Sequence, residues 1–226
     1  MDRRHFTGLA AAALASAGAG AVQAAKPPEE WDGLSRVKSK RMKLAFLAPG
    51  ADFRPYHRVM LDPTEIAFRK NWMRDYNSDR RGLDGRVDAS DVQRVITEGG
   101  KAATEIFTKA FTEGGYPVVA APAPDVLRVR TGVINLEVTA PDTMTAGRTR
   151  TYANEAGQAT FVIEVRDSMT SALLGRAVDG RYAGDTQAFI RNSVTNRADF
   201  RQLIKLWASN SVRGLGELKA LSLGNT

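Results

Sequence analysis

Apolar residues recur through the middle of the chain with the period of a helix. Val92, Val95, Ile96, Ala102, Ala103, Ile106, Phe107, Ala110 and Phe111 follow the i, i+3, i+4, i+7 spacing of one buried helical face. Ser90 reads as its N-cap, with Gln93 three residues on completing a capping box. Gly114-Gly115 reads as its stop, since glycine takes the left-handed cap conformation without strain. Gly99-Gly100 falls inside the pattern, and each glycine costs about 1 kcal/mol relative to Ala in a helix. A kink or a split is expected there.

Past a connector stiffened by Pro117, Pro122 and Pro124, the period changes to two. Leu127, Val129, Thr131 and Val133 share one face of an extended run, whereas Ile134, Leu136 and Val138 share the other. The apolar face switches near Gly132, and one extra residue in a β-bulge would restore a single buried face. Phe161, Ile163 and Val165 alternate with Thr160, Glu164 and Arg166, which predicts a half-buried antiparallel strand. Asp167–Ser171 supplies turn residues and residues 172–178 the returning strand. Upstream, residues 44–47, 56–61 and 64–68 read as short extended segments, with Asp62-Pro63 marking an edge or a bend. A second helix is expected from about Ala198, capped by Asn196. Its stripe is Phe200, Leu203, Ile204, Trp207, Ser211, Leu215 and Leu218, with fraying or close sheet contact at Gly214 and Gly216. These elements predict an α+β fold: a mostly antiparallel sheet with two main helices packed on one face.

The N-terminal segment departs from this pattern. Arg3-Arg4-His5-Phe6 forms a charged start, residues 9–19 a short Ala/Gly-rich apolar core, and Val22-Gln23-Ala24 presents small residues at the −3 and −1 positions. Residues 1–24 therefore read as a cleavable signal peptide, cut between Ala24 and Ala25. Arg3, Arg4 and Phe6 resemble a twin-arginine export signal, although Thr7-Gly8 stands where a more apolar pair is common. An ordinary secretory signal that begins Arg-Arg is the alternative. Residues 25–41, with Pro27-Pro28 and the run Lys38-Ser39-Lys40-Arg41, read as a mobile basic leader, and residues 42–226 as a single domain.

Composition narrows the chemistry. The 226 residues contain no cysteine, which removes disulfides, thiolate nucleophiles, Cys-ligated metals and the acylated Cys of a lipoprotein. The formal charge of +7 falls by one when residues 1–24 leave with Arg3, Arg4 and Asp2. That excess fits weak attraction to anionic surfaces, and the aromatics are not interleaved with the basic residues as in a nucleic-acid platform. No later run reaches the roughly 18 apolar residues of a membrane span.

After residue 24 the chain has a single histidine, His57, on an extended segment beside Val59 and Leu61, where a structural role is the simpler reading. Asp75, Asn77 and Asp79 match the start of a calcium loop, but Arg80 and Arg86 stand where Gly and Glu are required. No Gly-rich phosphate loop occurs in a strand–loop–helix context. Asp62 with Glu65, and Glu164 with Asp167, are the nearest carboxylate pairs, and strand spacing points each pair to opposite faces. No catalytic residue, metal ligand or cofactor site is assigned.

Several short pieces together resemble the bacterial envelope proteins of domain-of-unknown-function family 3313. They are Asp32–Ser35, Pro49–Phe53, Tyr56–Pro63, Tyr116–Val119, Val126–Arg130 and Glu164–Ser168 with Thr170, leading into Leu174 and Val178-Asp179. The resemblance implies an exported, envelope-associated domain and carries no catalytic residue. Many relatives look like lipoproteins with an acylated Cys, which this chain lacks. The expectation is a non-enzymatic periplasmic binding or interaction module. Its partner is another envelope protein, an anionic glycan or a lipid headgroup, with Arg148 and Arg150 as candidate contacts. The alternative is a carboxylate-dependent hydrolase of cell-wall or polysaccharide material. A third reading, carriage of a small ligand between helices and sheet, needs an apolar cavity.

Overall fold

Eight strands build one large sheet, and two long helices cover one of its faces. The computed structural model describes residues 27–78, 86–138, 151–153, 156–184, 189–191 and 193–223. In chain order the elements are β1 (Glu30–Trp31), β2 (Leu34–Val37), β3 (Leu44–Leu47), β4 (Arg58–Leu61), β5 (Glu65–Phe68), α1 (Trp72–Ser78), α2 (Ala89–Glu113), β6 (Val126–Val138), β7 (Thr151–Ala153), β8 (Gly157–Asp167), β9 (Leu173–Ala183), β10 (Phe189–Arg191) and α3 (Ser193–Leu223). The sheet order is β1-β2-β3-β9-β8-β6-β4, with β5 also on β6, and β7 pairs with β10 separately. The fold is α+β and mostly antiparallel, as the periodicity predicts. The exceptions are β4 and β5, which both run parallel to β6, Val59 opposite Leu127 and Glu65 opposite Gly132. Asp62-Pro63 bends the chain between them while the Asp62 N–H still donates to the Val129 carbonyl.

Residues 30–37 depart from the expected mobile leader. Asp32 and Gly33 both have positive φ, 51° and 78°, joining β1 to β2 as a two-residue hairpin. Strand β2 then pairs with β3, so this segment is an edge of the sheet.

The face switch in β6 is resolved by a bulge, three residues beyond the glycine that marks it in the sequence. Ile134 and Glu137 oppose Thr160 and Gln158, and Asn135 sits between them at φ 50°. The extra residue turns Leu136 and Val138 onto the helix-covered face beside Val133, while Ile134 stays on the opposite face with Val162.

Asp88 caps α2 in place of Ser90, accepting from the Ser90 and Asp91 N–H groups at 2.7 and 2.9 Å. The Asp91 carboxylate accepts back from the Asp88 N–H at 3.2 Å. The helix runs unbroken through Gly99-Gly100. A Cβ at Gly100 would lie 2.9 Å from the Thr64 carbonyl oxygen, so this glycine permits close approach of the β4–β5 connection. Thr104 secures that approach, accepting from the Thr64 N–H at 2.8 Å. Helix α3 is equally continuous past Gly214 and Gly216. The core lies between helices and sheet, where Phe107, Phe161 and Trp207 form a ladder of rings 5.4 and 5.3 Å apart.

Candidate functional site

Most charged side chains that the fold gathers neutralise one another. On the sheet face away from the helices, Arg130, Glu164 and Arg176 stand opposite one another on β6, β8 and β9. The Glu164 carboxylate, 3% exposed, accepts from Arg166 at 2.7–2.8 Å and from Arg176 at 3.1 Å. Arg176 also reaches Asp32 and lies 4.2 Å from the centre of the Trp31 ring, so the β1–β2 hairpin covers it. Asp62 is held by Arg128 at 3.0 Å. Carboxylate oxygens occupied by guanidinium groups in this way are tied up within the sheet rather than presented to a substrate.

Beneath α3, Asp179 of β9 is 4% exposed, and it accepts from Trp207 Nε1 at 3.0 Å, from Arg181 Nε and from the Lys43 N–H. This is an anchor of helix to sheet. At one end of the sheet, the buried Tyr56 hydroxyl donates to Asp167 at 2.8 Å. Burial, with that carboxylate beside it, pushes the Tyr56 phenol up to about 12. Hydrogen bonds from the Thr170 backbone and from Tyr56 hold the Asp167 carboxyl below its ordinary value. Exposed His57 has Nδ1 3.2 Å from Lys219 Nζ, which also donates to the Tyr56 carbonyl at 2.9 Å. The histidine is thus braced by a cation, the reverse of the carboxylate that orients a catalytic imidazole. Asp75, of the calcium-like run, lies on α1 between Arg69 and Arg74. Among the described residues, no group of three or more His, Asp or Glu side chains could hold a metal ion.

Two of the open cavities are apolar. A groove of about 540 Å³ lies between the C-terminal half of α3 and strands β2, β3 and β9. Leu127, Val129 and Val165 form part of its floor, Val37 and Ala45 one wall, and Leu218 and Leu221 of α3 the other. The volume falls within the roughly 300–1,000 Å³ of small-molecule sites. Val37 and Leu221 are 36% and 68% exposed at its mouth. Lys38, Lys40 and Arg41 of the β2–β3 connection add a cationic rim. Arg41 is committed to Glu217, donating through Nε at 3.0 Å and Nη2 at 2.6 Å, and the Asn210 amide donates to the Arg41 carbonyl. A second apolar cavity of about 330 Å³ separates the N-terminal parts of α2 and α3, walled by Phe68, Trp72 and Phe200.

The export residues Arg3, Arg4 and Phe6, the cleavage pair Ala24 and Ala25, and the proposed contacts Arg148 and Arg150 all lie outside the described residues. The groove residues were not assembled by the sequence reading. Lys38–Arg41 stood out there as a basic run and Leu218 as part of a helical stripe. Nothing local connects segments so far apart in the chain.

Three solved structures illustrate what the chain is similar to. One is a PelC dodecamer from Paraburkholderia phytofirmans, 13% identical, covering 74% of this chain and 95% of that one at a TM-score of 0.36. Another is a DUF330 protein from Xanthomonas campestris, 12% identical over 80% and 94% of the two chains at 0.39. The third is a minor lipoprotein from Acinetobacter baumannii, 9% identical over 70% and 91% at 0.31. No curated protein matches the chain. The sequence model of the family described as "Protein of unknown function (DUF3313)" matches residues 24–211, and the chain belongs to that family.

Proposed function

We propose that this is an exported, envelope-associated, non-enzymatic binding protein that takes an apolar ligand in the groove beneath the C-terminal half of α3. The groove carries the proposal: an apolar floor and walls open to solvent, with two large apolar side chains at the mouth. Exposed apolar surface gathered in one concavity favours occupation, because each buried area removed from water is stabilising. Export rests on the signal-like residues 1–24, and Arg3 and Arg4 give the twin-arginine route its test. Lysine at both positions abolishes export by that route, whereas unchanged export assigns the secretory one. Arg148 and Arg150 stay as proposed contacts to an anionic envelope partner. Alanine at both should weaken cross-linking in intact cells, and an unchanged cross-linking pattern ends that assignment.

The hydrolase reading asks for two free carboxyls facing one cavity. Glu217 is the carboxylate on the wall of the larger groove, and Arg41 holds it. The second cavity has both Asp91 and Glu98 in its lining, and the Asp91 carboxylate is occupied by the capping box and by Arg94 at 2.7 Å, so the two are not a pair of free carboxyls. The binding reading is tested with Nile red, a neutral dye that brightens in apolar surroundings. The purified protein should bind it, and Ala45→Trp, which fills the groove from β3, should weaken binding at least about tenfold, a change worth 1.4 kcal/mol. Equal binding by the variant overturns the groove assignment.

A further inference from the structure

We propose that the ligand is a long-chain fatty acid, one alkyl chain with one anionic head, lying along α3 with its carboxylate at Lys38 and Lys40. The inference rests on the groove reading and adds the ligand's chemistry. The groove runs beside α3 from Asn210 to Leu221, roughly 17 Å at 1.5 Å per residue, so it is long as well as apolar. Its polar atoms are already engaged: the Ser211 hydroxyl donates to the Trp207 carbonyl at 2.8 Å, and Asn210 donates to Arg41. A peptide laid there would leave its N–H and C=O groups without partners, a cost that an alkyl chain escapes.

The rim selects the head. Arg41 is neutralised by Glu217, whereas Lys38 and Lys40 are exposed and make no ion pair among the described residues. Two unpaired cations beside an apolar trough complement one anionic group at the end of an apolar body. A second copy of this chain would bring its own Lys38 and Lys40 against the first, and like charges oppose that docking. Exposed lysines contribute little affinity alone, so the chain supplies the attraction and the lysines the preference for an anion.

The experiment displaces Nile red from the purified protein with palmitate or with hexadecanol, the uncharged analogue, each kept below its aggregation concentration. Palmitate should displace the dye at a concentration at least about tenfold lower than hexadecanol, with the advantage shrinking as salt screens the rim. Lys38→Glu with Lys40→Glu should erase that preference while the dye binds as before, which also shows that the variant folds. Equal displacement by palmitate and hexadecanol, or a preference that survives both glutamates, overturns the fatty-acid assignment and leaves the groove reading standing. Absence of dye binding and of both ligands from the unsubstituted protein overturns the groove reading itself.

Discussion

Asp179 shows how much one side chain can hold. It joins α3, β9 and the β2–β3 connection through Trp207, Arg181 and the Lys43 backbone. Asp179→Ala strips the buried indole N–H of its acceptor and should lower stability by about 3 kcal/mol, read as a fall in the urea midpoint. Trp207→Phe keeps the stack on Phe161 and loses the hydrogen bond, so its cost should be smaller. Tyr56 gives the chain an alkaline limit. Its phenol ionises at about 12 in the folded protein, against an ordinary value of about 10, so the stability it contributes is complete below about 10. That contribution is lost as pH rises toward the folded value. Tyr56→Phe should cost about 1 kcal/mol at neutral pH and flatten the decline in stability between about pH 10 and 12. An undiminished alkaline decline in the variant would assign the loss to other groups. Asp167 has the opposite sign: its contribution is present above the ordinary carboxyl value and fades as pH falls through its lower folded one.

Glycines within the two long helices behave differently according to what faces them. Alanine at Gly100 gains about 1 kcal/mol in helix propensity, but its Cβ must press on the Thr64 carbonyl. The net effect of Gly100→Ala should be a loss of about 1–2 kcal/mol. No atom lies within 4 Å of a Cβ built on Gly214, so Gly214→Ala should raise stability by about 0.5–1 kcal/mol. Thermal melting of the pair checks both signs. The same helices show where local pattern is informative. Their buried stripes follow directly from spacing, as do β8, the turn after it and β9, because each has a period and flanking turn residues. The bulge in β6 was legible as a change of face, but its place was not. Asn135, rather than Gly132, takes the left-handed conformation at the bulge. The α2 cap lay two residues from the serine expected, since Asp88 and Asp91 can satisfy each other's N–H groups and Ser90 with Gln93 cannot do so in this register. Strands β1 and β2 were missed through brevity, although Asp32-Gly33 between them is a hairpin signal. Parallel alignment of β4 and β5 with β6 has no local signature at all, and neither has a groove built from residues 37–45 and 210–221.

At the scale of the molecule, one sheet face is given to the core and the other to reciprocal ion pairing, which leaves the margin of α3 as the open apolar surface described above. No helix of the described residues is long and apolar enough to cross a membrane. The sheet's order has a further consequence, for synthesis. Leu44 of β3 pairs with Val178 of β9, and β2 with its hairpin hangs on β3. During translation the first strands therefore have no partner on their inner edge until β9, residues 173–183, has emerged from the ribosome. The β8–β9 hairpin can close as soon as it emerges, whereas the amino-terminal edge must be recruited onto it from far upstream. Nascent chains halted before residue 173 should leave residues 30–47 open to limited proteolysis, and chains extended past residue 183 should protect them. The last-synthesised hairpin thus acts as the latch for the first-synthesised one, and any factor that guards this protein in the cell has the interval between those two events in which to act.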